Sequence, residues 1–283
     1  MFKILIPTDF SPAANIALQY AMSISGHFES LNIILFHCID TSDLSSGFLH
    51  KIQDVLLWEA EAEIKKIAND IIGEVQAGTS IEYDVVFGNI VEQITNKASE
   101  NKIDLIVMGT KGAGGIQQAL FGTITSTILK KINDYPLIVV PERAPIRPIT
   151  NIVYATDLAD LPGEAALTIA FGKLFNAHID ILHVTDNPEK QIKYDTIKET
   201  ENLVKKFTYP KLCFHIAFNL EVIDEIENFL ISHKTEMIAM FSRRKTKFEK
   251  LFDKSFTKEM AFHTHTPLLV IPYDLVLKES QVL

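Results

Sequence analysis

Asp104-Leu-Ile-Val-Met-Gly-Thr-Lys-Gly-Ala-Gly-Gly-Ile-Gln-Gln-Ala-Leu-Phe-Gly-Thr-Ile-Thr125 decides how the chain is read. An apolar run from Leu105 to Met108 stops at Gly109. From that glycine onward the stretch condenses to G-x2-G-x9-G-[ST], with Gly109, Gly112 and Gly122 as the glycines and Thr123 and Thr125 as the hydroxyls. The residues after Gly122 have a helical pattern. A strand that ends in glycines and restarts as a helix offers backbone N–H groups and the positive end of a helix dipole, and both suit a phosphate. Glycine lets a bulky anion lie on the backbone where a Cβ would hold it off. Scattered glycines alone would read as an ordinary surface loop; the strand–loop–helix context and the hydroxyls point instead to a nucleotide.

Outward from this stretch, the chain repeats itself. Lys3-Ile-Leu-Ile-Pro-Thr-Asp-Phe10 is echoed by Asn151-Ile-Val-Tyr-Ala-Thr-Asp-Leu158. Asn32-Ile-Ile-Leu-Phe-His-Cys-Ile-Asp40 is echoed by His178-Ile-Asp-Ile-Leu-His-Val-Thr-Asp186, and Pro136-Leu-Ile-Val-Val-Pro141 by Pro267-Leu-Leu-Val-Ile-Pro272. Three matched blocks in one order predict a duplicated domain. The join falls in Glu142-Arg-Ala-Pro-Ile-Arg-Pro148, giving domains over 1–143 and 148–283.

In the first half, apolar runs near 2–8, 31–38, 81–87, 103–109 and 136–140 read as strands. Amphipathic segments near 12–27, 50–75, 89–101 and 123–133 read as helices, the second with Val55, Leu56, Ile64, Ile67 and Ile71 on a dry face. Continuous apolar strands alternating with helices imply an α/β fold, a parallel sheet covered on both faces. Ligands of such sheets sit at the carboxyl ends of strands, where the winding direction switches. Pro7-Thr-Asp9 ends the first strand, and the glycine loop comes after the fourth.

Composition narrows the classes. With 283 residues, 47% of them hydrophobic, the chain has core material for two domains. A formal charge of −9 argues against a general nucleic-acid binder. No apolar run reaches the roughly 20 residues that cross a bilayer, and no secretory signal pattern opens the chain. Its two cysteines, Cys38 and Cys213, lack metal-ligand spacing and fit a reduced, cytoplasmic protein. Walker, dinucleotide-fingerprint, nucleophile-elbow and zinc-hydrolase motifs are missing, so slow ATP hydrolysis is the most chemistry to expect.

Ile6-Pro-Thr-Asp-Phe-Ser11, Leu35-Phe-His-Cys-Ile-Asp40 and the G-x2-G-x9-G-[ST] loop together resemble the universal stress protein family. The resemblance implies two tandem Rossmann-like domains, each a five-stranded parallel sheet flanked by helices. It implies ATP or AMP as ligand, and a nucleotide-linked sensor or regulator that acts on a protein partner. Pro7 and Thr8 would line the base, Asp9 would hold the ribose or adenine edge, and Cys38 would offer its backbone to the adenine. Met108 and Gly109 would flank the sugar, and Gly112, Gly122, Thr123, Ile124 and Thr125 the phosphates. As a rival role, Asp9 could cap the helix just after it. Rival functions are a structural or interaction module without nucleotide and a slow ATP hydrolase of the nucleotide-alpha-hydrolase type.

The second half departs from the motif. Aligned through Leu120-Phe121 and Leu251-Phe252, Gly109 becomes Phe241, Gly112 becomes Arg244 and Gly122 becomes Asp253. A ring would fill the approach to the backbone, and a carboxylate would stand where phosphate should lie. Asp157, kept without a phosphate cradle, reads as a helix cap. The basic run Ser242 to Lys247 reads as a solvated loop, and His263-Thr-His265 as no metal site; no metal ligand is expected anywhere.

Leu137-Ile-Val-Val140 and Leu268-Leu-Val-Ile271 are apolar and flanked by prolines, and bare edges of this kind invite aggregation. In the family, the corresponding strands pair between domains. The expectation is an intramolecular pseudo-dimer, able to dimerise further, in which these two strands pair. Slow amide hydrogen exchange along both strands is the expected result; fast exchange along both would rule the pairing out.

Overall fold

The computed structural model describes residues 1–41, 46–110, 123–131, 133–158, 160–185, 202, 205–242 and 265–279. The chain divides into two compact units, Met1–Ile146 and Arg147–Leu283. The first runs β1 (Phe2–Pro7), α1 (Pro12–Ile24), β2 (Leu31–Asp40), α2 (Ser46–Ile72), β3 (Thr79–Gly88), α3 (Ile90–Asn101), β4 (Leu105–Gly109), α4 (Thr123–Lys131) and β5 (Leu137–Val140). Its strands lie in the order β3-β2-β1-β4-β5, all parallel. β1 sits between β2 and β4, with Ile4 opposite both Ile33 and Leu105. The winding direction therefore switches between β1 and β4, as the sequence led us to expect.

Burial explains why these runs are strands. Ile4, Leu5 and Ile6 of β1 are fully buried, and every residue of β4 and β5 is buried, as strands covered on both faces require. β3, which pairs only with β2 in this unit, has no fully buried residue and exposes Ser80, Glu82 and Tyr83. Helix α1 starts where Ser11 accepts a hydrogen bond from Ala14 N at 3.2 Å and Pro12 takes the first turn. Helix α3 is capped by Asn89, which accepts from Glu92 N, and ends at a left-handed Lys102.

The dry face of α2 differs from the expected one. Ala60, Ile64, Ala68 and Ile71 are buried, Leu56 and Ile67 are half-buried, and Val55 is 56% exposed. At about 100° per residue, the four buried positions fall within about 40° of Ile64, whereas Val55 points about 180° away.

The second unit runs β6 (Asn151–Ala155), α5 (Leu161–Phe175), β7 (His178–Thr185), β8 (Leu212–Phe218), α6 (Val222–Ser232), β9 (Met237–Ser242), β10 (Leu268–Pro272) and α7 (Tyr273–Glu279). Its strand order is β8-β7-β6-β9-β10, again parallel, the same winding as in the first unit. Its core joins Val153, Leu182, Ile238 and Met240 to Ile226 and Leu230 of α6. A carboxylate clasps the start of the first strand in each unit: Lys3 N donates to Asp104 at 2.8 Å, and Asn151 N to Glu236 at 2.8 Å. Among the described residues, no helix is long and apolar enough to cross a membrane.

The α2 stripe yields a contrast that can be measured. Ile64→Ala should cost about 2–5 kcal/mol, because it opens a cavity in a closed core. Val55→Ala should stay within about 0.5 kcal/mol. Urea unfolding of the two variants checks this, and equal losses would contradict the assigned face.

Candidate functional site: a crevice at the strand ends of the first unit

The carboxyl ends of β1, β2 and β4, with α3 and α4, enclose a crevice lined by Pro7, Thr8, Asp9, Phe36, Cys38, Ile90, Ile94, Met108, Gly109, Ile124 and Thr125. Eight residues singled out in the sequence line it: Pro7, Thr8, Asp9, Cys38, Met108, Gly109, Ile124 and Thr125. Thr123 opens α4 beside them. Gly112, Gly122 and Lys111 lie outside the described residues. Phe36, Ile90 and Ile94 were not foreseen, although Phe36 stands inside the quoted β2 block. Ile90 and Ile94 sit one turn apart at the start of α3, on one helix face, which is the signal that marks them.

The turn after β1 is held by its own side chains. Phe10 has a left-handed backbone (φ 62°), which costs a non-glycine residue about 1–2 kcal/mol. Three contacts hold it there. Phe10 N donates to Thr8 Oγ1 at 3.1 Å, and its ring stacks on His37 with centroids 4.4 Å apart. His37 Nδ1 in turn donates to Thr8 O at 2.8 Å, which fixes its tautomer. Asp9 is exposed, and its Oδ1 accepts from Ser11 N at 3.1 Å. The helix cap is Ser11, so Asp9 steadies the approach to the cap and stays at the mouth of the crevice.

Gly109 has a steric reason for being glycine. A Cβ there would lie 2.6 Å from Ala13 O and 2.7 Å from its carbonyl carbon, both backbone atoms of α1. The Thr125 hydroxyl, buried, donates to Gly109 O at 2.9 Å and pins the start of α4 to the end of β4. Its proton is thereby engaged within the protein.

The main chain of β2 adds polar capacity. A parallel strand presents successive residues to opposite neighbours. Leu31 N donates to Gly78 O on the β3 side, and Phe36 O accepts from Thr8 N on the β1 side at 2.8 Å. Two residues on, Cys38 faces the same side as Phe36, past the end of β1 at Pro7. Its N–H and C=O therefore point toward the crevice. The Cys38 thiol is a different matter: it bonds Gly88 O at 3.5 Å, and burial, aided by the Asp40 charge, pushes it up to about 11.

The second unit keeps the turn and changes the crevice. Thr156 N donates to Leu182 O, His183 Nδ1 to Thr156 O at 2.8 Å, and Leu158 N to Thr156 Oγ1 at 3.0 Å, with Leu158 left-handed at φ 63°. The register that sets Ile4 against Leu105 sets Ile152 against Met237, so Phe241 holds in β9 the place of Gly109 in β4. The Phe241 ring is buried, edge-on to Tyr154 at 5.6 Å. Tyr154, fully buried, donates to the buried Glu164 carboxylate and lies 3.0 Å from Thr156 Oγ1. Burial first, and then the Glu164 charge, raise the Tyr154 hydroxyl well above its usual value. Asp157 is not the cap that the sequence suggested; α5 begins at Leu161 with Asp160 at the cap position, and Asp157, like its counterpart Asp9 before Ser11, lies ahead of the cap. Arg244, Asp253, the rest of the basic run after Ser242, and His263 lie outside the described residues.

The two thiols should separate chemically. At pH 8 a thiol titrating near 11 is about one-thousandth thiolate. A disulfide reagent should thus titrate one thiol quickly in the chelator-treated native protein, the exposed Cys213, and both after denaturation. Fast loss of Cys38, mapped by mass spectrometry, would contradict the crevice geometry.

The sequence model of the universal stress protein family matches residues 1–141. A universal stress protein of Synechocystis sp. is 31% identical over 150 residues, which span 48% of this chain and 96% of that protein. One from Methanocaldococcus jannaschii is 26% identical over 155 residues, 48% of this chain and 93% of its own length. Each relative thus matches about half of this chain. The crystal structure of a universal stress protein from Archaeoglobus fulgidus superposes with a TM-score of 0.72, covering 95% of this chain and 97% of its own at 20% identity, a likeness of fold. A family match over the first unit and a relative aligned along nearly its whole length agree with the strand order and the strand-end motifs: the chain belongs to the universal stress protein family.

Proposed function

We propose that the crevice of the first unit binds one adenine nucleotide, ATP or AMP, and that the protein works as a cytoplasmic nucleotide-linked regulator in the stress response. The observation that carries this reading is the convergence of eight singled-out residues, from three strand ends and one helix start, on one crevice at the switch point. Phe36, Ile90, Ile94 and Met108 give apolar walls for a purine. The Cys38 main chain gives its edge a donor and an acceptor. Asp9 at the mouth is placed to accept from ribose hydroxyls, and the glycine loop of the sequence supplies N–H groups for phosphates. No residue of the crevice is proposed as catalytic.

The second unit, on this reading, has no nucleotide site, because a buried phenylalanine replaces the glycine at the end of its fourth strand. The pseudo-dimer expected from the apolar strands then pairs one ligand-binding unit with one unit free to contact a protein partner. Nucleotide occupancy would change those contacts.

Titration calorimetry tests the reading. The wild type should bind ATP or AMP with a stoichiometry of one per chain. Gly122→Asp, which copies the residue at the aligned position of the second half, should abolish ATP binding. Asp9→Ala, at an exposed position, should weaken it by about tenfold while the melting temperature barely moves. Asp253→Gly alone should create no second site. Two equal sites in the wild type, or full affinity in both first-unit variants, would overturn the assignment.

A further inference from the structure

On the β7–β8 pair of the second unit, far from the strand-end turn of β6 in sequence, three metal-binding side chains share one face. Asp180 of β7 stands directly opposite Cys213 of β8 in the parallel register. His215 lies two residues beyond Cys213, and side chains two apart on a strand lie on the same face. One carboxylate oxygen, the cysteine Sγ and one imidazole nitrogen all lie within 4.8 Å of one another. A tetrahedral ion with ligands at about 2.0–2.3 Å holds its donor atoms roughly 3.3–3.8 Å apart. Rotamer adjustment of about 1 Å closes the difference.

We propose that Asp180, Cys213 and His215 bind one divalent transition-metal ion of the zinc class, with the fourth position left to water. The donor set selects the ion. One thiolate, one imidazole and one carboxylate suit zinc and its borderline neighbours, whereas magnesium and calcium require all-oxygen shells. The two anionic ligands neutralise the dication, so the partly buried site carries no net charge. The surroundings are built for it. Asp180 is buried and receives hydrogen bonds from the side chains of His215 and Asn151. Asn151 Nδ2 also donates to His233 O at 3.1 Å, tying the site to the end of α6. The His233 ring stacks on Phe229 at 3.7 Å and stands 5.6 Å from the His215 ring, walling one side. Cys213 is exposed, which gives the ion an entry path.

Without the ion, His215 Nε2 donates to Asp180 Oδ1 at 2.9 Å. Metal binding through Nε2 shifts that proton to Nδ1 of the neutral ring and releases the thiol proton to solvent, and the ion takes their place. A plain Asp–His pair would need no cysteine, so Cys213 discriminates between a metal site and a structural ion pair.

The test uses the full, tag-free chain stripped with chelator and titrated with zinc by calorimetry and with cobalt(II) by absorption. The expected result is one ion per chain and a sulfur-to-cobalt charge-transfer band. Cys213→Ser should abolish the band and weaken zinc by about tenfold or more, and Asp180→Asn and His215→Ala should each weaken zinc by a similar factor. Cys38→Ser should change neither signal. Cys213 is exposed, so its serine variant keeps the fold and decides the matter even if the other two unfold. Absence of zinc binding, a cobalt spectrum without the thiolate band, or unchanged affinity in Cys213→Ser would overturn the proposal.

Discussion

The carboxyl end of the first unit's sheet is registered on one close approach, the backbone of Gly109 against the carbonyl of Ala13. At 2.6 Å from that oxygen no Cβ fits, so β4 can end under the first turn of α1 only as glycine. Thr125 then grips the Gly109 carbonyl and sets where α4 begins. Two helices are thereby fixed relative to the strand between them. The crevice is the space left where β1 has already stopped and β2 continues.

The second unit shows what happens when that approach is given up. The same strand position carries the buried ring of Phe241, and a tyrosine, a threonine and a glutamate occupy the interior beneath it. Buried polar groups are costly unless bonded to one another, and here each finds a partner within the group. Where the first unit has the buried aliphatic Ile6 in β1, the second has this bonded polar group.

Much of this was legible in the sequence, for physical reasons. Doubly covered strands must be apolar throughout, so β1, β2, β4 and β5 declared themselves within about two residues of their observed ends, and the switch point came from strand order. The eight crevice residues were named through the family resemblance, which the blocks Ile6–Ser11 and Leu35–Asp40 and the glycine loop carry. Other features were hidden. Val55 looked like part of a stripe until the angular arithmetic of a 27-residue helix set it opposite Ile64. Phe36 passed for ordinary core. The Asp180, Cys213 and His215 cluster was invisible because Asp180 and Cys213 stand 33 positions apart and are joined only by strand register. Cys213 and His215 on β8 supply only two donors, and the third is brought beside them by the register of β7.

The left-handed residues Phe10 and Leu158 allow a further deduction. Both units hold a bulky residue in this disfavoured conformation, with the same threonine and histidine contacts, yet only one has the glycine loop after its fourth strand. Nature has thus run a control on itself within a single polypeptide. A bend retained where the glycine loop is gone belongs to the chassis, as the corner that turns strand into helix. Engineers wishing to graft new pockets onto this architecture can leave that corner untouched and rewrite the loop alone.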